Sequence, residues 1–471
     1  MKFRIDVVCE CDSGAEQPHE LMVLLRDELA METLGLTLAE SKQLLHTLQI
    51  YMVDQQAKDH LEQHRTCPQC DCYFTGNGQG KNRQINTLFG LIPVPNPRWL
   101  HCGCDPDAGK TFRPMASCLP DRSSPELQYL ETKWASLIPY AKAFDLLREV
   151  LPVSPTLNPE TVRNHLHTTA MKLEQALGEE QDCLFPGSED DWAAQPLPDG
   201  PMTVGIDGGM VRARHKTGFF EVIAGKSIVA FKRDETEDIP SAKRFGFVQT
   251  YDKKPRRRLW ELMKSQGMQE NQAVLFMSDG GDTVRNLQTY LHPQGEHVLD
   301  WFHVTMRLTV MNQQTKAIIV DDETLGATTK ESLESIKHYL WHGNVDVALE
   351  RLDSLSFNLD INRQSSEAVA KLLRSVTEFD TYIRNNRDFI PNFGERYRQG
   401  DTISTSFVES TINQVVSKRF VKKQQMQWTL EGAHLLLQTR TRVLDDDLEE
   451  AFRGWYPKFR PESTSQPVCF H

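Results

Sequence analysis

The chain has 471 residues, of which 39% are hydrophobic and 25% are charged, and its formal net charge is −12. This length predicts about three domains and excludes a small disulfide scaffold. No apolar run reaches the roughly 18 residues of a membrane helix, so we expect a globular protein that neither spans a membrane nor is disordered. The net charge argues against a nucleic-acid partner, unless the acidic residues are segregated along the chain.

The N-terminal region, residues 1–66, contains two sequence features. Asp6 and Glu10 interrupt any apolar segment that a secretory signal would need, so a cytoplasmic location is expected. Residues 15–65 carry leucines at three- and four-residue steps, a pattern that predicts helices ahead of the first cysteine group.

Ten cysteines in a reducing compartment are not expected to form disulfides, so their spacing matters more than their number. Two tight turns in a glycine-rich, ribbon-like context supply close pairs: Cys67 with Cys70, and Cys102 with Cys104. Four thiolates from two such knuckles are typical of a closed structural Zn²⁺ site. We therefore assign residues 67–120 as a zinc-binding region, with Cys72 and His101 as alternative ligands.

Residues 121–177 carry strong helical patterns. Asn158 and Pro159 resemble an N-cap followed by a first-turn proline, which predicts a helix-turn-helix for DNA binding. An ordinary helical hairpin is the alternative. The following segment, residues 178–200, holds seven acidic residues and no basic one, and is predicted to be a solvated linker.

After residue 200 the pattern changes to strands. The predicted elements are strands over residues 202–213, 218–230 and 245–251, a helix over 255–266, a strand over 273–277, a helix over 283–291, a strand over 297–299 and a helix from 302. This order is that of an α/β ribonuclease H-like domain, whose core we place at residues 201–310 and 401–445. The helical patterns between these parts predict an inserted all-α domain over 311–400, and residues 446–471 form a tail.

Acidic residues lie in or directly after two strands that neighbour each other in such a sheet. Asp207 lies in the first strand and Asp279 follows the fourth, while Glu409 belongs to a later helix. Converging carboxylates repel one another unless cations lie between them, and two Mg²⁺ ions so held catalyse phosphodiester displacement. For one aspartate alone, an Asx turn is the alternative. Asp300 and His303 could either bracket a phosphate or form a structural hydrogen bond.

Basic residues are concentrated beside this acidic centre. Those expected to contact DNA phosphates are Lys253, Lys254, Arg256, Arg257, Arg258, Lys418, Arg419, Lys422 and Lys423. A merely solvated basic face is the alternative. The excess acidity lies elsewhere, because the linker and five acidic residues within 445–450 account for the whole net charge. The objection to a nucleic-acid partner is thereby weakened.

Five stretches of the chain resemble the transposases of bacterial insertion sequences, specifically the ISKra-type group with an Asp, Asp, Glu triad. They are residues 34–41 ahead of the first cysteine pair, 124–136, 205–209, 300–303, and 407–410 continuing to 425–428. The resemblance implies that Asp207, Asp279 and Glu409 form the triad, and that the Asp-x-x-His pattern falls on Asp300 and His303. It also implies recognition of terminal inverted repeats by the N-terminal part. Relatives often have glycines shortly before the glutamate, where this chain has serine and threonine.

The sequence thus predicts a Mg²⁺-dependent transposase that cuts double-stranded DNA at element ends and joins it to a target, acting as a homodimer or larger assembly. Two alternatives stay open. One is a zinc-containing DNA-binding regulator whose carboxylates no longer catalyse, and the other is a ribonuclease H-like nuclease that cleaves without joining.

Overall fold

The computed structural model describes residues 1–10, 18–78, 80–104, 109–181, 184, 187–196, 200–214, 218–229, 242–281, 287, 291, 295–404, 406–421 and 426–461, without the side chains of residues 189, 406, 407, 409 and 421. The chain divides into two compact units. The N-terminal unit comprises Met1–Thr169 and Asp447–His471, and the sheet unit comprises Ala170–Asp446. No helix in the described ranges has both the length and the apolar character needed to cross a membrane.

The N-terminal unit begins with a β-hairpin. Strands β1 (Lys2–Val8) and β2 (Pro18–Leu25) pair antiparallel and precede the helix α1 (Leu38–Gln63). The prediction of helices alone before the cysteines is therefore wrong for residues 18–25. Their apolar residues pair with a strand close to the N-terminus, and a helical periodicity search does not detect such a partner. The helix prediction is confirmed for α1, which starts with a capping box of Thr37 and Glu40.

Short antiparallel strands follow α1. Strands β3 (Arg83–Thr87) and β4 (Gly90–Val94) form one ribbon, while β5 (Trp99–Leu100) and β6 (Thr111–Phe112) form another. The first ribbon packs its apolar side against α1, so the predicted β-ribbon is present.

Three helices complete the N-terminal unit together with α14 (Leu448–Trp455): α2 (Pro125–Leu137), α3 (Tyr140–Val150) and α4 (Pro159–Ala176), of which α4 continues into the sheet unit. The predicted cap is confirmed, because Asn158 Oδ1 accepts from the amide of Thr161 at 3.0 Å. The connection between α3 and α4 spans residues 151–158, whereas a helix-turn-helix uses three or four residues. A connection of this length is also longer than that of a helical hairpin, and α4 is instead tied to α2 by His165, which bonds the buried Glu131.

The sheet unit is built on five strands: β7 (Met202–Arg212), β8 (Phe219–Val229), β9 (Lys243–Val248), β10 (Val274–Ser278) and β11 (Glu296–Leu299). Their order across the sheet is β11-β10-β7-β8-β9. The first three strands of the chain form an antiparallel meander, and β10 and β11 run parallel to β7. Each strand lies where the sequence predicts one, within a few residues.

Helices cover both faces of this sheet. Helix α6 (Pro255–Ser265) buries Leu259 and Trp260 against the even-numbered side chains of β7. Helix α12 (Ser406–Ile412), a π-helical segment (Asn413–Val421) and α13 (Leu430–Leu444) cover the other face. The backbone of Gly209 lies close to this layer, since a Cβ there would be 3.5 Å from Val416 Cγ1.

The predicted acidic linker is more structured than its composition indicates. It contains α5 (Glu189–Ala193), and Trp192 from this helix is buried in the same core as α6. Upstream, Glu180 bonds the amides of Arg256 and Arg257. Glu180 bonds the start of α6, where basic residues are concentrated, and Trp192 is buried, so the prediction of a solvated linker is wrong for these residues.

An all-α bundle lies between β11 and α12. It consists of α7 (Trp301–Asp321), α8 (Glu323–Trp341), α9 (Val345–Ile361) and α10 (Glu367–Asn385), with the short α11 (Phe393–Gln399) after them. Each helix packs on the next, and α10 packs back on α7. The inserted domain is thus present, but it starts at Trp301 rather than at residue 311, because Val304 and Leu308 of α7 belong to the bundle core. That core is continuous with Met277 and Val298 of the sheet.

Candidate functional site

Three aspartates lie on one line across the three parallel strands. Met277 of β10 pairs with Gly205 of β7, and two residues further along each strand are Asp279 and Asp207. Ser278 of β10 pairs with Leu299 of β11, so the next residue of β11 along this register is Asp300. Neighbours in a parallel sheet share a face and an edge. The structure therefore brings Asp207, Asp279 and Asp300 to the carboxyl edge of the sheet.

The electrostatics of this edge favour a cation. Burial raises the pKa of Asp207, and the charges of Asp279 and Asp300 act in the same direction, against the amide of Gly208 and the charge of His303. Burial, and then the charges of Asp279 and Asp207, also raise the pKa of Glu221 on β8. Carboxylates whose pKa values are raised by burial and by one another are typical of sites that bind a metal or a proton. In the described part of the chain their oxygens do not form a group of three within 4.8 Å of one another.

Local hydrogen bonds fix each aspartate. The amide of Gly208 donates to Asp207 Oδ1 at 2.7 Å, and the amide of Gly281 donates to Asp279 Oδ1 at 2.9 Å. The second of these bonds is the Asx turn expected as an alternative. It leaves one oxygen of the carboxylate outside the turn, so the turn and a ligand role are compatible.

Asp300 and His303 are closely coupled. Asp300 is fully buried, and its Oδ1 caps α7 by accepting from the amide of Phe302 at 2.8 Å. Its Oδ2 lies 3.7 Å from His303 Nε2, and His303 is partly exposed. A buried carboxylate that caps a helix and faces an imidazole orients the ring. At 3.7 Å the two side chains form an ion-pair contact rather than the hydrogen bond of the structural alternative, and the capping of α7 is the role of Asp300 that the structure shows.

The position of Glu409 is described through its backbone only. Glu409 lies in α12, which packs against β7 and β8 on the face to which Asp207 belongs. Val408 beside it is buried with Ile228, and a Cβ at Gly209 of β7 would lie 3.6 Å from Ile412 Cγ2. The Glu409 side chain lies outside the described residues. The helix that carries it therefore covers the expected face of the sheet.

Helix α12 continues into a nine-residue π-helical segment, a rare element that is often found at functional sites. Arg440 of α13 supports this segment, because its guanidinium donates to the carbonyl oxygens of Gln414 and Val415. Burial, followed by the charge of Arg419, lowers the pKa of Arg440 to about 10. Sequence reasoning missed Arg440, because its helix also carries Glu431 and Arg442 and nothing in the sequence distinguishes Arg440 from them.

Most of the basic residues predicted to bind DNA have other partners. Lys254 Nζ donates to the carbonyl of Gly178 at 2.7 Å, and Arg257 pairs with Glu261 at 2.6 Å. Arg256 pairs with Glu180 at 3.7 Å. These cations are compensated by residues of the same unit, so the predicted basic patch is largely neutral.

Arg258 and Arg419 are corrections to the predicted DNA contacts. Arg258 is buried and donates to Asp252, Glu174 and Gln438. Arg419 is also buried, with its guanidinium 5.1 Å from the ring centre of Trp428. A buried guanidinium cannot reach a phosphate. Lys253 and Lys418 are exposed, and Lys422 and Lys423 lie outside the described residues.

The cysteine cluster is assembled in the N-terminal unit. Its four sulfur atoms all lie within 4.8 Å of one another, with 3.5 Å between those of Cys67 and Cys104 and 2.9 Å between those of Cys102 and Cys104. Cys70 is the fourth member, whereas the alternatives Cys72 and His101 are not part of the group.

A tight knuckle shapes the first cysteine pair. The amide of Asp71 donates to the carbonyl of Cys67 at 2.9 Å, and Asp71 adopts a positive φ of 54°. A hydrogen bond from the backbone of Gln69, followed by one from the side chain of Cys102, lowers the pKa of Cys67 to about 6, whereas the neighbouring thiols raise the pKa of Cys104. Four sulfur donors that cannot all ionise without a cation fit Zn²⁺. The four cysteines thus form a cluster that could hold a metal ion.

Two further side chains near the acidic edge were missed by sequence reasoning. Arg307 lies on α7, and Tyr382 lies on α10 with the guanidinium 4.2 Å from its ring centre. Burial raises the pKa of Tyr382, and the charges of Asp279 and Asp300 contribute to the same shift. The spacing of Arg307, seven residues after Asp300, is the one sequence signal that could have indicated it.

A further carboxylate cluster is explained without a metal. Glu174, Asp252 and His434 lie within reach of one ion, but the guanidinium of Arg258 lies among them, 2.8 Å from Glu174 and 2.9 Å from Asp252. An arginine already supplies the positive charge there. The carboxyl edge of the sheet and the cysteine cluster are therefore the two candidate sites. No protein-family model matches this chain, and no curated protein matches it significantly.

Proposed function

We propose that the sheet unit is a ribonuclease H-like catalytic domain, and that the protein is a DDE transposase of a bacterial insertion sequence, of the ISKra type. The strand order supports this, because an antiparallel meander flanked by two parallel strands, with β7 at the centre, is the arrangement of that fold. The single observation that carries the proposal is the shared register of Asp207 and Asp279 on adjacent parallel strands, beneath the helix that bears Glu409.

In this proposal Asp207, Asp279 and Glu409 hold two Mg²⁺ ions, which would stabilise the attacking and leaving oxygens of a phosphodiester displacement. The raised pKa of Asp207 supports a site that needs cations. Asp300 acts as a positioning residue that caps α7 and orients His303. His303 lies at the edge of the site, where it can accept a proton from a substrate oxygen or donate one to it.

The N-terminal unit supplies DNA recognition in this proposal, with terminal inverted repeats as its target. The cysteine cluster binds structural Zn²⁺ and fixes the two knuckles. Two element ends must be brought together for joining, so the active form is a homodimer or a larger assembly on DNA. Its place of action is the cytoplasm. Lys253 and Lys418 remain as exposed cations for phosphate contacts.

The test is an assay of strand cleavage and joining on element-end DNA with Mg²⁺. We expect wild-type protein to cleave and join, and Asp207→Asn and Asp279→Asn to lose at least about a thousandfold in rate, because each variant removes a metal ligand. Asp321→Asn, at an exposed position of α7, is the matched control and should keep full activity.

Other outcomes separate the alternatives. Cleavage without joining would indicate a ribonuclease H-like nuclease. If wild type and Asp207→Asn both bind end DNA and neither cleaves it, the protein is a catalytically inactive, zinc-containing regulator. The proposed enzyme would then be excluded.

A further inference from the structure

One face of α7 extends the acidic edge into the helical bundle. Asp300 caps the helix, His303 lies in its first turn, and Arg307 lies one turn beyond. Residues at spacings of three and seven lie on the same side of a helix. With a rise of 1.5 Å per residue, Arg307 is about 10 Å along the helix axis from the aspartate line.

The guanidinium of Arg307 is held by an aromatic platform. It lies 4.2 Å from the ring centre of Tyr382, a distance typical of a cation–π contact. Tyr382 is partly buried in the bundle, whereas Arg307 is exposed. Among the described side chains no carboxylate pairs with Arg307 within 4.0 Å, in contrast to Arg384 on α10, which bonds two aspartates. Arg307 is therefore a positioned cation whose charge is available to a ligand.

The platform is tied to the turn that carries Asp279. Asn386, directly after α10, is buried, and its side-chain amide donates to the carbonyl of Tyr382 at 2.9 Å. Its Oδ1 lies against the backbone of Gly280, where a Cβ would overlap it, and Gly280 has a φ of 79°. The end of α10 and the Asp279 turn are thus packed without space between them. This packing sets the position of Tyr382 relative to the acidic edge.

We propose that Arg307 binds a backbone phosphate of the DNA strand that is cut, within about three nucleotides of the scissile bond, and that Tyr382 positions its guanidinium. The inserted bundle is then part of the active site. The inference rests on the proposed function, since the acidic edge locates the scissile bond. Arg307 lies about 10 Å along the axis of α7 from the aspartate line, so a phosphate that it binds lies within a few nucleotides of the scissile bond. An arginine fork is well suited to a phosphate.

The experiment measures DNA binding separately from cleavage. Full-length protein binds element-end DNA in Ca²⁺, in place of Mg²⁺, over a series of salt concentrations, and each of the three phosphates on either side of the scissile bond is replaced singly by a neutral methylphosphonate. We expect Arg307→Gln to weaken binding about 10- to 100-fold and to lower the salt slope by about 0.9. One methylphosphonate position should weaken wild type by a similar factor and should leave Arg307→Gln unaffected.

Three variants serve as controls. Arg351→Gln, at an exposed position of α9, should bind as wild type at every position. Tyr382→Phe keeps the ring and should bind DNA nearly as wild type does. Tyr382→Leu should behave like Arg307→Gln, because the same single methylphosphonate should no longer weaken its binding, and its melting temperature should be unchanged. A merely structural role of Tyr382 predicts no change in the phosphate profile.

The outcomes distinguish this inference from the proposed function. The phosphate site is excluded if Arg307→Gln binds DNA as wild type does. It is also excluded if each of the six methylphosphonates weakens the binding of Arg307→Gln by the same factor as that of wild type. Both conclusions hold even when Mg²⁺-dependent cleavage is present. If the single-phosphate signature is present but wild type and Asp207→Asn are equally inactive in Mg²⁺, the phosphate site stands and the transposase activity is excluded.

Discussion

The cysteine cluster and the acidic edge are built in different ways. Each cysteine pair lies within one short knuckle, and only the meeting of two knuckles is tertiary. At the acidic edge, Asp207 and Asp279 come from strands that are adjacent only in the folded sheet, and Glu409 follows them after an inserted bundle. Close sequence spacing alone is therefore enough to indicate a thiolate site, whereas a carboxylate site of this kind depends on strand register.

The largest expected effect on stability is at the cysteine cluster, whose two pairs each lie within one short knuckle. With the proposed zinc site, Cys67→Ser should abolish zinc binding and unfold the N-terminal unit, because a structural zinc site contributes about 10 kcal/mol to folding. Zinc content and thermal unfolding measure this, and Cys72→Ser, outside the cluster, is the matched control. A Cys67→Ser protein that keeps one zinc ion and the wild-type melting temperature would contradict the assignment.

The second prediction concerns the basic residues in the first turn of α6, which the sequence indicates as DNA contacts and which the fold pairs with its own acidic residues. Arg258→Ala leaves Asp252 and Glu174 without their buried cation and should lower the free energy of unfolding by about 3–5 kcal/mol. Arg257→Ala removes a more exposed pair and should cost below about 1 kcal/mol. Urea unfolding compares the two. Unchanged stability of Arg258→Ala together with weaker DNA binding would reverse this conclusion.

The third prediction is a pH dependence of the same network. Burial alone would raise the pKa of Glu174, but hydrogen bonds from His434 and Arg258 outweigh it and lower the pKa to about 2. A carboxyl group with a lowered pKa stabilises the fold above its ordinary value, and this contribution is lost as the pH falls from about 4.5 to about 2. The lost stability is about 3 kcal/mol. Unfolding measured across this range should show a flatter profile for Glu174→Gln; an equally steep profile would refute the assignment.

The smallest expected effect tests the packing of the acidic edge on the bundle. Gly280→Ala should lower the free energy of unfolding by about 2 kcal/mol, because it combines a positive φ with an overlap on Asn386. Gly267→Ala is the matched control, with a φ of 83° and open space around it, and should cost about 1 kcal/mol. Zinc content should not change in either variant. Equal costs in denaturant unfolding would show that the contact with Asn386 is unimportant.

Much of the local structure could be predicted from sequence. The strand character of β7 and β8, the Pro255 start of α6 and the Asn158 cap of α4 depend on neighbouring residues only, and each prediction is confirmed. The hairpin β1–β2 was missed because it depends on pairing between separate segments. The start of the bundle at Trp301 was missed because α7 satisfies both the sheet core and the bundle core.

The candidate site divides in the same way. The sequence by itself determined the cysteine spacing, one aspartate within a strand and one directly after a strand, and the segregation of acidic charge, since these are properties of short segments. Only the tertiary structure decided that Arg258 and Arg419 are buried, that Asp300 joins the line of Asp207 and Asp279, and that Arg307 lies against the ring of Tyr382. The physical reason is that burial, register and ion pairing depend on which distant segments meet.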